Sequence, residues 1–159
     1  MRRTIGFLGV VALMLAMVGV FGDDVAKGQT EIHVTTVTGN LKWVTADHGK
    51  EGFGAADRNA AWEPLFAEDQ VTRVGKAYWD CVGMEGTSGR AKKMMCFALW
   101  ELEGGQITLQ YVQRAPRDGV FADFTFPVTG GTGIYANATG DGTFTGFEEY
   151  GDFVITLAE

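Results

Sequence analysis

Histidine is scarce in this sequence, since His33 and His48 are the only two among 159 residues. Cysteine is equally scarce, and no Cys-x-x-Cys or His-x-x-His spacing occurs. A structural zinc site usually takes four such ligands, and a serine, histidine and acid triad needs a histidine held beside both partners. The sequence therefore predicts no metal site and offers no arrangement for a catalytic triad.

Basic residues are few as well. The chain has 13 Lys and Arg against 20 Asp and Glu, which gives a net charge of −7. An acidic surface of this kind repels nucleic-acid phosphates and anionic lipid headgroups. We therefore predict that the protein binds neither nucleic acid nor, once its N-terminal segment is removed, a membrane.

Long apolar runs are confined to the N terminus. Residues 1–22 begin with Arg2 and Arg3, continue as an uncharged run and end in small residues, which is typical of a secretory signal peptide. An uncleaved membrane anchor is the alternative, because the run approaches the roughly 20 apolar residues that span a bilayer. We predict a signal peptide at 1–22, a short leader at 23–29 and one domain at 30–159, secreted or periplasmic.

The two cysteines both lie in the part predicted to be exported. Cys81 and Cys96 occur on successive strand-like runs with a turn sequence between them. An oxidising compartment permits a disulfide between them, and two free buried thiols are the alternative. We expect the disulfide, which would stabilise the fold by up to about 3 kcal/mol by closing a loop of roughly 15 residues.

Short runs with a period of two recur along the chain, and no long helix is predicted after the N-terminal segment. This period is expected of strands with one face toward a core and the other toward water. Seven or eight such strands at near-regular spacing predict an all-β fold, an eight-stranded antiparallel barrel or else a sandwich. The predicted strands are 31–37, 71–83, 91–103, 106–113, 124–128, 144–149 and 152–157.

Three stretches carry weaker patterns. Residues 55–68 fit either a short helix or a strand, because Pro64 and polar residues interrupt the period. Trp43 and Val44 are candidates for the core, ahead of a surface loop. The run 91–103 is apolar on both faces, which indicates a strand buried on both sides.

The glycine-rich block 129–133 predicts a sharp turn between two late strands, since glycine takes positive φ without a steric clash. Residues 131–136 also fit the glycine spacing of a dinucleotide-binding turn. That motif requires a helix to begin at the glycines, and the glycine-rich residues that follow do not favour one. We therefore predict a strand connection and no cofactor.

The block Val128–Tyr135 (VTGGTGIY), with Gly140 after it, resembles the Gly-Gly-Ser/Thr-Gly-x-Phe/Tyr block of the allene oxide cyclase barrels. Plant dirigent proteins carry a related block. Gly105–Gln110 (GQITLQ) and Val74-Gly75 followed by Cys81 resemble further pieces of the same family. The resemblance implies an eight-stranded barrel, often a trimer, whose apolar cavity holds a hydrophobic intermediate in one conformation.

Two positions depart from the dirigent pattern. Ile134 stands where dirigent proteins commonly have an acid, and Thr139 stands where they commonly have an arginine. These departures argue against the guidance of radical coupling that dirigent proteins perform. Glu31 would correspond to the first-strand carboxylate of the plant cyclase, but no surrounding motif supports that alignment.

Two carboxylates are weak candidates for catalysis. Glu31 or Asp57 would have a raised pKa inside an apolar barrel and would then act as an acid or base, whereas the alternative is that each lies in water. Five aromatic residues would either line a ligand cavity or form a packed core. These residues are Trp79, Trp100, Tyr111, Phe124 and Phe126.

The sequence therefore favours an exported barrel that binds a hydrophobic small molecule in its interior. A cofactor-free cyclase or isomerase that acts on a hydrophobic intermediate is the first alternative. A structural extracellular barrel with a filled core is the second.

Overall fold

The structure, a computed structural model, describes residues 29–37, 39–49, 51–87, 90–116 and 121–158. The predicted signal peptide lies outside these residues. No helix in the described ranges is long and apolar enough to cross a membrane. The strands are β1 (Gln29–Val37), β2 (Lys42–Ala46), β3 (Arg58–Phe66), β4 (Arg73–Thr87), β5 (Arg90–Leu102), β6 (Gly105–Arg114), β7 (Phe124–Gly133), β8 (Thr139–Gly146) and β9 (Tyr150–Ala158).

All strands belong to one antiparallel sheet that closes on itself. The order is β1-β9-β8-β7-β6-β5-β4-β3-β2, and a further pairing of Thr35 with Phe66 joins β1 to β3. β2 pairs with the other half of β3, from Lys42 opposite Trp62 onward. Because β1 and β2 run the same way along β3, they form one interrupted position in the barrel. The predicted eight-stranded antiparallel barrel is confirmed.

Side chains alternate across the barrel wall, as the period-two patterns predict. In β5, Cys96, Ala98 and Trp100 are buried while Met95 and Phe97 are exposed on the outer face. The prediction that residues 91–103 are buried on both sides is therefore wrong, because nothing in the described chain covers the outside of β5.

The interior has a packed end and an open end. Inward residues near one end of the strands other than β2 form a continuous apolar core, with Leu65, Trp100, Ile107, Phe126 and Ile155 each at most 2% exposed. Toward the other end of the same strands, inward residues line a cavity instead. Gly39 and Leu41 after β1, and Phe147 and Glu148 after β8, line the cavity at this open end.

The glycine block lies at the packed end, away from the cavity. Residues 129–133 continue β7 rather than forming a turn, and the chain reverses at 134–138, so the predicted turn is displaced by a few residues. Gly133 has φ of +64°, and a Cβ there would lie 2.0 Å from the carbonyl oxygen of Gly104. Glycine is needed at this position for the close approach of two backbones.

Three other predicted segments are corrected or resolved. Residues 55–68 contain strand β3 and no helix. Trp43 and Val44 are about 60% exposed on β2 (59% and 61%) and do not belong to the core, because β2 pairs on only one side. Tyr150 begins β9 rather than separating the last two strands, since the turn falls at 147–149.

The predicted disulfide joins two neighbouring strands at the same level. Cys81 on β4 lies directly opposite Cys96 on β5, with 4.1 Å between their Cα atoms, and the two sulfurs are bonded. Both side chains point into the barrel and are buried. The bond therefore fixes the wall from which the cavity is built.

His33 links three parts of the outer surface near the closure of the barrel. Its Nε2 lies 2.5 Å from Asp152 Oδ1 on β9, and its Nδ1 lies 2.7 Å from Glu68 Oε1 after β3. Both ring nitrogens donate only when the imidazole is protonated. Burial acts to lower the pKa of His33, but the hydrogen bonds and charges of Asp152 and Glu68 outweigh it and raise the pKa above 6.5.

We predict that His33→Gln lowers the free energy of unfolding most at low pH. The contribution of His33 is fully present below the unfolded pKa of 6.5 and is lost as the pH rises through the higher folded pKa. The loss should be about 1 kcal/mol near the low end, as for a partly exposed ion pair. Urea unfolding over a pH series measures it, with the exposed His48→Gln as the control. A difference between wild type and His33→Gln that stays constant with pH would contradict the prediction.

Candidate functional site

The open end of the barrel encloses a cavity of about 200 Å³. Its walls come from residues of β1 and of β3 to β9, and its mouth lies between Leu41 and Trp43 on one side and Phe147 on the other. Phe147 stacks on Tyr150, with 4.5 Å between ring centroids. The exposed position of Trp43 is thus at the rim of the cavity.

One wall of the cavity is a continuous aromatic stack. Tyr111 stacks on Phe124 at 4.7 Å, Phe124 stacks on Phe144 at 5.0 Å, and Phe144 packs against Phe153 at 4.6 Å. Large rings with fixed rotamers make a rigid surface for a flat apolar ligand. The wall comes from β6, β7, β8 and β9, which are neighbours in the sheet.

The five aromatic residues predicted to bind a ligand divide between the cavity and the core. Trp79, Tyr111 and Phe124 line the cavity. Trp100 and Phe126 lie in the packed end, where Trp100 packs against the lining residue Phe153 with 5.0 Å between ring centroids. The period of two gives the inward face of a strand but not its depth in the barrel, which is why the sequence could not separate these two groups.

Neither candidate carboxylate lies on the cavity wall. Glu31 is exposed on β1. Asp57 is 1% exposed, but it accepts hydrogen bonds from the backbone N–H groups of His48 (2.7 Å) and Gly54 (2.6 Å). These hydrogen bonds lower its pKa, the reverse of the predicted shift. Asp57 holds the loop between β2 and β3 in place.

The buried carboxyl group on the cavity wall is that of Glu63, on β3 between Trp62 and Pro64, whereas Glu148, which also lines the cavity, is exposed. Glu63 is 8% exposed, and within the described residues it has no hydrogen bond or ion pair. Burial raises the pKa of Glu63 to about 8. At neutral pH the group is therefore mostly a neutral acid that can donate a proton, and slightly above neutral it becomes a base.

Sequence reasoning missed Glu63 because it lies in the stretch that fitted either a helix or a strand. Once the stretch is a strand, the alternation of Ala61, Glu63 and Leu65 puts the acid on the inward face. That alternation was the one available signal, and Pro64 beside it obscured the pattern.

Tyr111 and Trp79 form a second polar group on the wall. The Trp79 indole N–H hydrogen-bonds to the Tyr111 hydroxyl oxygen. Burial raises the pKa of Tyr111, the hydrogen bond from Trp79 acts to lower it, and the charge of Glu63 raises it. The net shift is upward, so that Tyr111 keeps its proton and faces the cavity as an O–H donor.

The cavity provides no positive charge among the described residues that line it, since none is Lys, Arg or His. Among the residues that the structure describes, no group of three or more His, Cys, Asp and Glu side chains is placed to hold a metal ion. An anionic ligand would meet a carboxyl group without a counter-charge. The lining fits a neutral or cationic apolar molecule.

Neither a protein-family model nor a curated protein sequence matches the chain. Solved structures do match. A pyocyanin demethylase is 22% identical with a TM-score of 0.64, over 81% of this chain and 100% of that one. The pterocarpan synthase dirigent protein GePTS1 is 16% identical with a TM-score of 0.60, over 81% and 83%. The Diels-Alderase AbmU from Streptomyces koyangensis is 11% identical with a TM-score of 0.57, over 82% and 68%.

These likenesses show that the chain has the barrel fold of dirigent and cyclase proteins. The fold that the glycine block predicted is thereby confirmed. At these identities the likeness concerns the fold alone, so that function depends on the residues of this cavity.

We predict that Glu63 makes stability fall as the pH rises. Its folded pKa of about 8 exceeds the unfolded value of 4.5, so that only the unfolded chain has released this proton between those values. The contribution of Glu63 to the free energy of unfolding is therefore fully present below about pH 4.5, and it falls by up to about 5 kcal/mol by pH 8. Glu63→Gln should abolish this part of the fall.

Urea unfolding of both proteins between those pH values measures the difference. The exposed Glu31→Gln serves as the control and should keep the wild-type fall. An identical slope in wild type and Glu63→Gln would mean that Glu63 is not buried as a neutral acid.

Proposed function

We propose that this barrel binds a neutral or cationic hydrophobic small molecule in its open end. The observation that carries the proposal is a cavity with an aromatic wall on one side and a neutral carboxyl on another. Apolar walls with a few polar groups are the usual composition of small-molecule sites. The predicted signal peptide would place this binding outside the cytoplasm, and the trimer implied by the family resemblance remains a prediction.

The packed end supports this proposal. A barrel with a structural role would fill its interior along its whole length. Here Trp100, Phe126 and their neighbours fill one end only, and the aromatic rings at the other end stack on one another around open space. A filled core is therefore the weakest of the three functions that the sequence left open.

Filling the cavity should abolish binding. Ala61 lines the cavity from β3, whereas its neighbour Ala60 faces outward and is exposed. We expect Ala61→Phe to weaken binding of the neutral fluorescent probe N-phenyl-1-naphthylamine by at least about tenfold. Ala60→Phe adds the same ring outside the barrel and should bind the probe like wild type.

Probe fluorescence during titration gives the dissociation constants, and circular dichroism shows that both variants are folded. Pyocyanin, on which one structural neighbour acts, is a second compound to titrate. Equal probe affinity in wild type and Ala61→Phe would place the binding outside the barrel and contradict the proposal.

A second candidate function, a cofactor-free cyclase or isomerase, is favoured by Glu63. A buried carboxyl with a pKa of about 8 is close to the pH at which an acid or base is most effective. The rigid aromatic wall would hold an apolar substrate in one orientation beside it, which lowers the entropic part of a barrier. Glu63 would donate or remove the proton, and Tyr111 would donate a hydrogen bond to a developing negative charge.

The base in this proposal can be tested without the natural substrate. In 5-nitrobenzisoxazole, removal of the ring C–H proton by a carboxylate forms a nitrile as the N–O bond breaks, and a coloured phenolate is released. We expect wild type to accelerate this reaction with a rate that rises through about pH 8, as Glu63 ionises.

Glu63→Gln should reduce the rate by at least about tenfold, as expected for the loss of a general base. Glu31→Gln, which removes an exposed carboxyl, is the matched control and should retain the rate. A Glu63→Gln variant as active as wild type would exclude Glu63 as the base and leave the binding function in place.

A further inference from the structure

Gln113 contributes a third polar group to the cavity, on β6 two residues beyond Tyr111. Its side chain lines the open end of the barrel and is 8% exposed. Its Nε2 lies 3.9 Å from the Sγ of Cys96. Its Oε1 is buried and has no hydrogen-bond partner within the described residues.

The disulfide decides which way this amide faces. A disulfide sulfur carries no hydrogen, so that it accepts a weak hydrogen bond but cannot donate one. The NH₂ group of Gln113 is therefore the end that faces Cys96, and a flipped amide would put the carbonyl oxygen against an acceptor. The carbonyl oxygen is left as the unpaired end.

An unpaired buried carbonyl is unfavourable by about 1–3 kcal/mol. None of the described polar groups on the cavity wall donates a hydrogen bond to this oxygen. A ligand group that donates a hydrogen bond to Oε1 would remove this penalty. A ligand that presents only carbon there would leave it in place.

We propose that Gln113 is a specificity-determining residue that selects ligands carrying a hydroxyl or N–H donor on an apolar frame. The inference rests on the proposed binding function and adds the chemical class of the ligand. Phenols and aromatic amines belong to this class, whereas aromatic hydrocarbons do not. The aromatic wall would hold the ring system of the ligand, and the carbonyl oxygen of Gln113 would accept a hydrogen bond from its hydroxyl or N–H group.

A pair of probes with nearly the same shape tests the inference. 1-Naphthol and 1-methylnaphthalene differ by a hydroxyl in place of a methyl group, and at about pH 6 the hydroxyl keeps its proton. The ratio of their dissociation constants is measured by competition with N-phenyl-1-naphthylamine, for wild type and for Gln113→Met. Taking the ratio cancels the different hydrophobicity of the two probes.

We expect the preference for 1-naphthol over 1-methylnaphthalene to fall by about tenfold or more in Gln113→Met. The control is Gln110→Met on the same strand, where the side chain is exposed on the outer face, and it should keep the wild-type ratio. An unchanged ratio in Gln113→Met, with both probes still bound, would overturn the role of Gln113 and leave the proposed function standing. Failure of every probe to bind wild type would overturn the proposed function itself.

A measurement on the wild-type protein gives a result even if Gln113→Met does not fold. With glutamine labelled by ¹³C at Cδ, the Gln113 carbonyl signal should shift on adding 1-naphthol and shift less on adding 1-methylnaphthalene. Equal shifts with the two probes would contradict a hydrogen bond to this carbonyl.

Discussion

Closure of the sheet is the constraint on which the interior depends. The pairing of β1 with β3 leaves every described strand except β2 with neighbours on both sides, so that inward side chains face one another across the barrel. Closure turns a period-two pattern into one continuous interior, which then holds both the core and the cavity. The disulfide at Cys81 and Cys96 and the ion pairs of His33 reinforce the wall around it.

The division of that interior explains how a small barrel can contain unfavourable groups. The packed end buries large apolar side chains such as Trp100 and Phe126, and this burial stabilises the fold. The open end then tolerates two groups that burial penalises, the carboxyl of Glu63 and the carbonyl of Gln113. Both groups lie on the cavity wall, where a bound molecule can contact them, whereas the packed end buries one unpaired donor, the Trp100 indole N–H.

The sequence predicted the architecture better than the site. Alternation in β6, β7 and β9 predicted a barrel or a sandwich, because a strand's inward face follows from its period, and the family resemblance of the glycine block favoured the eight-stranded barrel. The same period does not indicate how far along the barrel a residue lies. Trp100 and Phe126 of the packed end could therefore not be distinguished from Trp79 and Phe124 of the cavity. The polar residues of the site were harder still. Glu63 lay in an ambiguous stretch, and the unpaired oxygen of Gln113 depends on where its amide lies beside Cys96, which the predicted disulfide alone does not specify.

Titration of the Glu63 side chain tests the central claim most directly, because that carboxyl reports on both the burial and the occupancy of the cavity. With ¹³C-labelled glutamate, the Glu63 carboxyl signal is assigned by its absence in Glu63→Gln. The account predicts a midpoint of about 8 in the free protein, moving higher when N-phenyl-1-naphthylamine displaces water around the carboxyl. A midpoint near 4.5 that does not respond to the probe would contradict it.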